Sequence, residues 1–268
     1  RVPQITTAVP RGAFAYLARG IKTQVPVPVI YGHRVNDLGT ARQLLADGMC
    51  DLVAMGRALI ADPELPAKAL DGREREILHC VACAQGCFDR LFQLRHVECL
   101  CNPVAGHEEA RRLAPAARPQ KVMVIGGGPA GMQAALAAAG RGHAVTLWEQ
   151  TTRLGGQLHL AAAPPGRGEF AGLVRDLASR LDRSGITVRL GRQVDEALLR
   201  QERPERVILA TGARPITPTI PGKDLPHVVQ AWDVLQDRVP TGSEVVVIGG
   251  GAVGVETALF LADKGTLS

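Results

Sequence analysis

The chain has 268 residues, a net charge of +5, and 46% hydrophobic against 21% charged side chains, a globular balance that excludes a disordered or fibrous chain. No apolar run approaches the ~20 residues that span a bilayer, and no signal peptide is visible in a chain that opens at Arg1, Val2 and Pro3 and is expected to lack its true start. The arginines are scattered and aromatics make up 3% of the chain, which argues against a nucleic-acid partner.

Residues 27–31 read as a short apolar strand. Asn36 and Asp37 can cap a helix through Ala41, Leu44 and Leu45, with Gly48 as its stop. Residues 51–55 read as a second strand ending at Gly56 and Arg57, and another helix is expected after Pro63. Strand, helix, strand, helix implies a parallel α/β arrangement. The segment from Cys80 to Cys99 interrupts that rhythm. Residues 108–120, with Pro115 and Pro119, read as a linker. At Lys121 a new domain starts with a buried strand, residues 122–125. Residues 122–131 are echoed by residues 245–254, as expected of two separate nucleotide-binding units. The chain stops one strand and one helix into the second unit, where a sheet needs further strands, so a truncation is expected at Ser268.

Gly126, Gly128 and Gly131, with Ala130 between, follow a strand and open an apolar helix. In such a turn the first Gly allows the bend, the second admits a pyrophosphate against the backbone, and the third lets helix and strand pack closely. The next strand ends in Glu149, an acceptor for ribose hydroxyls. Gly155, Gly156 and Gln157 follow, and an apolar strand ends in Thr211 and Gly212. This ordered set resembles the FAD domains of the two-dinucleotide flavoprotein reductases. Gly249, Gly251 and Gly254 stand where those proteins bind NAD(P)H. The residue that separates NADH from NADPH would lie past Ser268.

Five of the six cysteines fall in one segment. In a long α/β chain that pattern points to metal in a reducing, cytoplasmic compartment. Cys80-x2-Cys83-x3-Cys87-x11-Cys99 offers three thiolates in a compact turn and a fourth from a distance, suited to [4Fe–4S] or to zinc. Zinc sites more often carry two CxxC pairs, so the cluster is the reading taken, with structural zinc or free thiols as alternatives. Cys101 is a poor fifth candidate, and Cys50 suits a core position. His79, His96 and His107 flank the segment at no ligand spacing and read as surface or supporting residues. His143 reads as a turn residue.

Residues 80–89 (CVACAQGCFD) and 99–103 (CLCNP) resemble the cluster segment of the 2,4-dienoyl-CoA reductase, enoate reductase and trimethylamine dehydrogenase family. These proteins join an old-yellow-enzyme-like barrel to a nucleotide-binding half. Residues 1–3 and 9–14 look closest to the bacterial dienoyl-CoA reductases. The resemblance implies the end of an FMN-binding (β/α)8 barrel over residues 1–75 and a [4Fe–4S] segment over 76–107. It further implies a linker over 108–120, an FAD-binding Rossmann-type domain over 121–228 and the start of an NAD(P)H domain from 229. Arg34 and the Gly56–Arg57 turn would hold the FMN phosphate, while the family often has Asn at His33. From the residues alone, Arg34 and Arg57 are equally solvated strand ends. The family's catalytic Tyr and His lie upstream of the position matching Arg1. The chain therefore supplies no catalytic acid, Arg1 is a substrate-contact candidate, and these residues alone are expected to be inactive. The implied function is reduction of activated C=C bonds in enoyl or enoate-like small molecules, by electron flow from NAD(P)H through FAD, [4Fe–4S] and FMN. Amine dehydrogenation within the same family is one alternative. A non-catalytic nucleotide-binding fragment with a structural zinc is the other.

Overall fold

Short apolar runs alternating with capped helices produce, in a computed structural model that describes residues 6–266, two parallel sheets. The chain divides into two units: residues 1–118, 140–142 and 172–185, and residues 119–139, 143–171 and 186–268.

The first unit runs through α1 (Ala15–Lys22), β1 (Ile30–Gly32), α2 (Leu38–Ala46), β2 (Leu52–Ala54), α3 (Gly56–Ala61) and α4 (Leu65–Leu70), a 3-10 turn at Glu74–Glu76, and α5 (Phe88–Phe92). Strands β1 and β2 pair in parallel, Ile30 opposite Leu52 and Gly32 opposite Ala54. Asp37 starts α2 as expected: its extended backbone turns the carboxylate onto the Thr40 N–H at 2.8 Å, a cap that contributes about 1 kcal/mol. The core gathers Ala15, Ala18, Tyr31, Val35, Leu44 and Cys50, so Cys50 is a packing residue. Past β2, the buried Asp62 carboxylate accepts from Lys68 Nζ at 2.7 Å and from the Leu78 N–H at 2.8 Å. That pair pins the chain just before Cys80. Removing one partner of such a buried pair costs about 3–5 kcal/mol, because the other charge is left uncompensated.

The second part of the chain runs through β3 (Lys121–Ile125), α6 (Pro129–Gly140), β4 (Ala144–Trp148), α7 (Leu158–Ala162), α8 (Phe170–Asp182), β5 (Thr187–Arg189), α9 (Glu196–Glu202), β6 (Arg206–Leu209), α10 (Ala231–Leu235) and α11 (Ala252–Thr266). Its sheet is parallel in the order β5-β4-β3-β6, half of a doubly wound dinucleotide fold. Strand β3 lies between two neighbours, and Val122, Met123 and Val124 are all buried, as a central parallel strand requires. Much of α8 groups with the first unit. There Asp176 accepts from the backbone N–H of His79 at 2.8 Å and faces its Nδ1 at 2.9 Å. Residues 245–248, read from sequence as a strand, pair with no strand among the described residues. Val246 is 89% and Ile248 70% exposed. An apolar run becomes a strand only where a neighbour takes up its N–H and C=O groups. No helix among the described residues is long and apolar enough to cross a membrane.

Candidate functional site

The four cysteines chosen by spacing line one recess with Cys101, Arg57 and Ile60. Two alanines fold the segment back on itself. Ala82 and Ala84 take positive φ of 50° and 63°, left-handed backbone of the kind found in the nests that hold anions and iron–sulfur groups. The Ala82 N–H lies 3.3 Å from Cys80 Sγ. The backbone N–H groups of Gln85 and Gly86 favour an anionic Cys83, and that of Phe88 an anionic Cys87. Gly86 allows the fourth thiol to arrive. A Cβ there would stand 2.7 Å from the Glu98 carbonyl oxygen and 3.0 Å from Cys99 Cα, and the Glu98 N–H donates to the Gly86 carbonyl at 2.7 Å.

Burial pushes the Cys80 thiol up to about 11, with the Ala82 N–H and the Arg57 charge opposing. Cys83 and Cys87 are also raised by burial. Cys99 is held down to about 6 by a hydrogen bond from the Cys101 thiol and by the N–H groups of Asn102 and Cys101. Cys101 is raised by that same bond and by burial. Among the described residues, the metal-ligating side chains that crowd three donor atoms to within 4.8 Å are His96, Glu98 and His107. No three of the thiol sulfurs crowd that closely among the described residues.

Arg57 also borders a cleft of about 190 Å³ lined by His33, Arg34, Val35, Asn36, Gly56 and Phe88. Its guanidinium lies 5.4 Å from the Phe88 ring centroid, a cation–π arrangement. Arg34 is buried and donates to the carbonyls of Val9 and Thr7 at 2.8 and 3.1 Å. His33 and Arg34 both have positive φ, 110° and 56°, an uncommon strain for non-glycine residues that collects at functional loops. Buried Asn36 donates to the Cys80 carbonyl at 2.9 Å, tying the cleft to the cysteine segment.

In the second unit three stretches far apart in sequence meet at the end of β3. Gly126 has φ +113°, and a Cβ there would lie 2.2 Å from the Ala210 carbonyl oxygen. A Cβ on Gly131 would lie 1.8 Å from the Gly126 carbonyl oxygen, whereas one on Gly128 would meet nothing within 4 Å. The first and third glycines are thus demanded by the protein itself. The second faces open space, as a backbone does where a pyrophosphate approaches. The Gly155 N–H donates to the Gly127 carbonyl at 2.9 Å, and Gln157 Nε2 to the Ala213 carbonyl at 3.1 Å beside Thr211 and Gly212. Buried Glu149 accepts from the Gly127 N–H at 2.6 Å and from the Thr151 N–H and hydroxyl at 2.8 and 2.9 Å. With about four lone-pair positions on a carboxylate, it keeps acceptor capacity for a hydroxyl. The second Gly-rich turn repeats the φ and the third-glycine contact but not the first: Gly249 has φ +115° with nothing within 4 Å of a Cβ, a Cβ on Gly254 would lie 1.9 Å from the Gly249 carbonyl oxygen, and Gly251 faces open space.

Arg1 lies outside the described residues. Sequence spacing missed three features. Cys101 is buried against Cys99, His79 pairs with Asp176, and His96 and His107 meet at 3.0 Å.

The family model described as pyridine nucleotide-disulphide oxidoreductase matches residues 120–267. A metal reductase of Desulforamulus reducens is 46% identical over 271 residues, covering 100% of this chain and 41% of its own. An NADH oxidase of Thermoanaerobacter brockii is 47% identical over 261 residues, covering 95% of this chain and 40% of its own. Among solved structures, a 2-naphthoyl-CoA reductase in complex with 2-naphthoyl-CoA is 35% identical, with a TM-score of 0.94 over 98% of this chain and 40% of that one. The chain therefore spans about two fifths of the length of these relatives.

Proposed function

Because the chain belongs to the pyridine nucleotide-disulphide oxidoreductase family, we propose that it forms the electron-transferring part of an iron–sulfur flavoprotein reductase. In this reading Cys80, Cys83, Cys87 and Cys99 hold a [4Fe–4S] cluster. The turn at Gly126–Gly131 with Glu149, Gly155, Gly156, Gln157, Thr211 and Gly212 holds FAD. Gly249, Gly251 and Gly254 receive NAD(P)H, and Arg34 with the Gly56–Arg57 turn receives the FMN phosphate. Together these groups supply conversion of a two-electron hydride donor into single electrons and back, for reduction of an activated C=C bond in a small molecule. The likeness to a 2-naphthoyl-CoA reductase supports an acyl-thioester or related enoate as substrate.

The roles of the chain's own residues follow from charge and hydrogen bonding. The N–H groups of Ala82, Gln85, Gly86, Phe88 and Asn102 favour anionic sulfur, as the cluster reading requires. The Arg57 charge supports negative charge on Cys80 and Cys87. Arg34, which donates to the Val9 and Thr7 carbonyls, lines the cleft with Arg57, so two guanidinium groups border the place proposed for the phosphate. Gly128 leaves room for a pyrophosphate, and Glu149 fixes the turn while keeping capacity for a ribose hydroxyl.

The observation that carries the reading is the convergence of the four spaced thiols on one recess, where the Ala82 N–H donates to Cys80 Sγ. The test is cofactor analysis of the anaerobically purified full-length protein. About four irons and four acid-labile sulfides per chain, with both FAD and FMN, are expected. Stoichiometric zinc without sulfide would overturn the cluster. ADP in place of FAD would replace NAD(P)H-dependent reduction with amine oxidation.

A further inference from the structure

We propose that His96, Glu98 and His107 form a second metal site, distinct from the thiol recess, that takes zinc or a similar divalent first-row cation. His96 Nε2 lies 3.0 Å from His107 Nε2, His107 Nε2 lies 3.1 Å from Glu98 Oε1, and His96 Nε2 lies 3.4 Å from the same oxygen. Zinc bonds of about 2.0–2.1 Å to nitrogen or oxygen set tetrahedral edges of about 3.3–3.4 Å. The three donor atoms therefore already approximate one face of such a tetrahedron. His96 is 55% exposed, so the fourth vertex opens to solvent and takes water. Two imidazoles and one carboxylate are a ligand set that suits zinc and its neighbours rather than magnesium or calcium.

The chain is shaped to make this meeting. Gly106 has φ +77°, and a Cβ there would stand 2.2 Å from the Val97 carbonyl oxygen. A glycine at 106 lets the backbone pass against residue 97 and brings His107 beside His96. The Glu98 N–H is anchored on the Gly86 carbonyl at 2.7 Å. Arg90 Nη2 lies 3.1 Å from Glu98 Oε1, and its Nε donates to the His96 carbonyl at 3.2 Å. Arg90 thus offsets the carboxylate when no ion is held. The carboxylate has lone pairs enough for both a cation and Arg90. An ion on this face closes residues 96–107 into a ring that contains Cys99 and Cys101, and so clasps the loop that delivers Cys99 to the recess.

The experiment uses the full-length holoprotein with its cofactors loaded, stripped of loose metal with a chelator, desalted and kept anaerobic. Zinc chloride is titrated calorimetrically, and the zinc-loaded protein is read by zinc K-edge absorption. The expected result is one zinc per chain, lost in His96→Ala and in His107→Ala, with a nitrogen and oxygen shell at about 2.0–2.1 Å and no sulfur at about 2.3 Å. The proposal is overturned if the wild type binds no more zinc than the double variant, or if sulfur dominates the zinc shell. The absorption arm decides the matter even if a variant fails to fold.

Discussion

Gly86→Ala tests the geometry that brings the fourth thiol to the other three. The new Cβ would sit 2.7 Å from the Glu98 carbonyl oxygen, where ordinary contact begins at 3.4 Å. Segment 98–101 must therefore retreat by about 0.7 Å. The 2.7 Å bond from the Glu98 N–H to the Gly86 carbonyl goes with it, a net loss of about 0.5–1.5 kcal/mol. Overpacking adds about 1–3 kcal/mol. The stability change is moderate, but metal–ligand distances tolerate only about 0.2 Å. The retreat exceeds that tolerance severalfold, and Cys99 is withdrawn. Iron and sulfide per chain are expected to fall well below those of the wild type after identical anaerobic reconstitution, with faster bleaching under chelator. Gly20→Ala is the control, since a Cβ there meets nothing within 4 Å. A Gly86→Ala protein with full iron content and wild-type resistance to chelator would refute the reasoning.

Glu149→Ala removes the acceptor for the Gly127 and Thr151 N–H groups as well as any ribose contact. Bonds to a charged acceptor contribute about 1.5–3 kcal/mol each, so FAD affinity measured by equilibrium dialysis should fall at least tenfold. Arg57→Gln removes the positive charge that favours anionic Cys80 and Cys87. A more negative reduced state loses that support, so the midpoint potential read by EPR-monitored titration should drop. Burial raises Asp176, but the hydrogen bonds from the His79 ring and backbone, the coulombic attraction of His79 and the hydrogen bond from Arg175 outweigh it and leave the carboxyl below its ordinary value. A carboxyl depressed in the folded state stabilises above the unfolded pKa of about 3.9 and loses that contribution as pH falls through the folded value. Asp176→Asn should therefore flatten the acid limb of the stability curve below about pH 4, read by chemical denaturation across pH.

The parallel α/β character, the Asp37 cap, both Gly-rich turns and the thiol set were legible because each rests on residue types at short, fixed spacing. Gly126 and Gly131 cannot carry a side chain where the structure places them, so the glycines themselves announce the turn. What the sequence hid depends on approach between distant segments. His79 and Asp176 are 97 residues apart, and no local pattern links them. His96 and His107 meet because Gly106 packs onto residue 97, a closeness that their spacing of eleven residues does not encode. Cys101 read as a poor fifth candidate, because four thiols already complete the ligand set and spacing does not show that it lines the same recess as Cys99. The apolar run at residues 245–248 read as a strand because hydrophobic pattern records the tendency to pair, not the presence of a neighbour.

The central claim, that Cys80, Cys83, Cys87 and Cys99 hold the cluster with Cys101 beside it, is tested most directly by iron and sulfide analysis of two serine variants of the full-length protein. The account predicts that Cys99→Ser loses the cubane and that Cys101→Ser keeps about four irons per chain. A cluster that survives in Cys99→Ser and is lost in Cys101→Ser would contradict it.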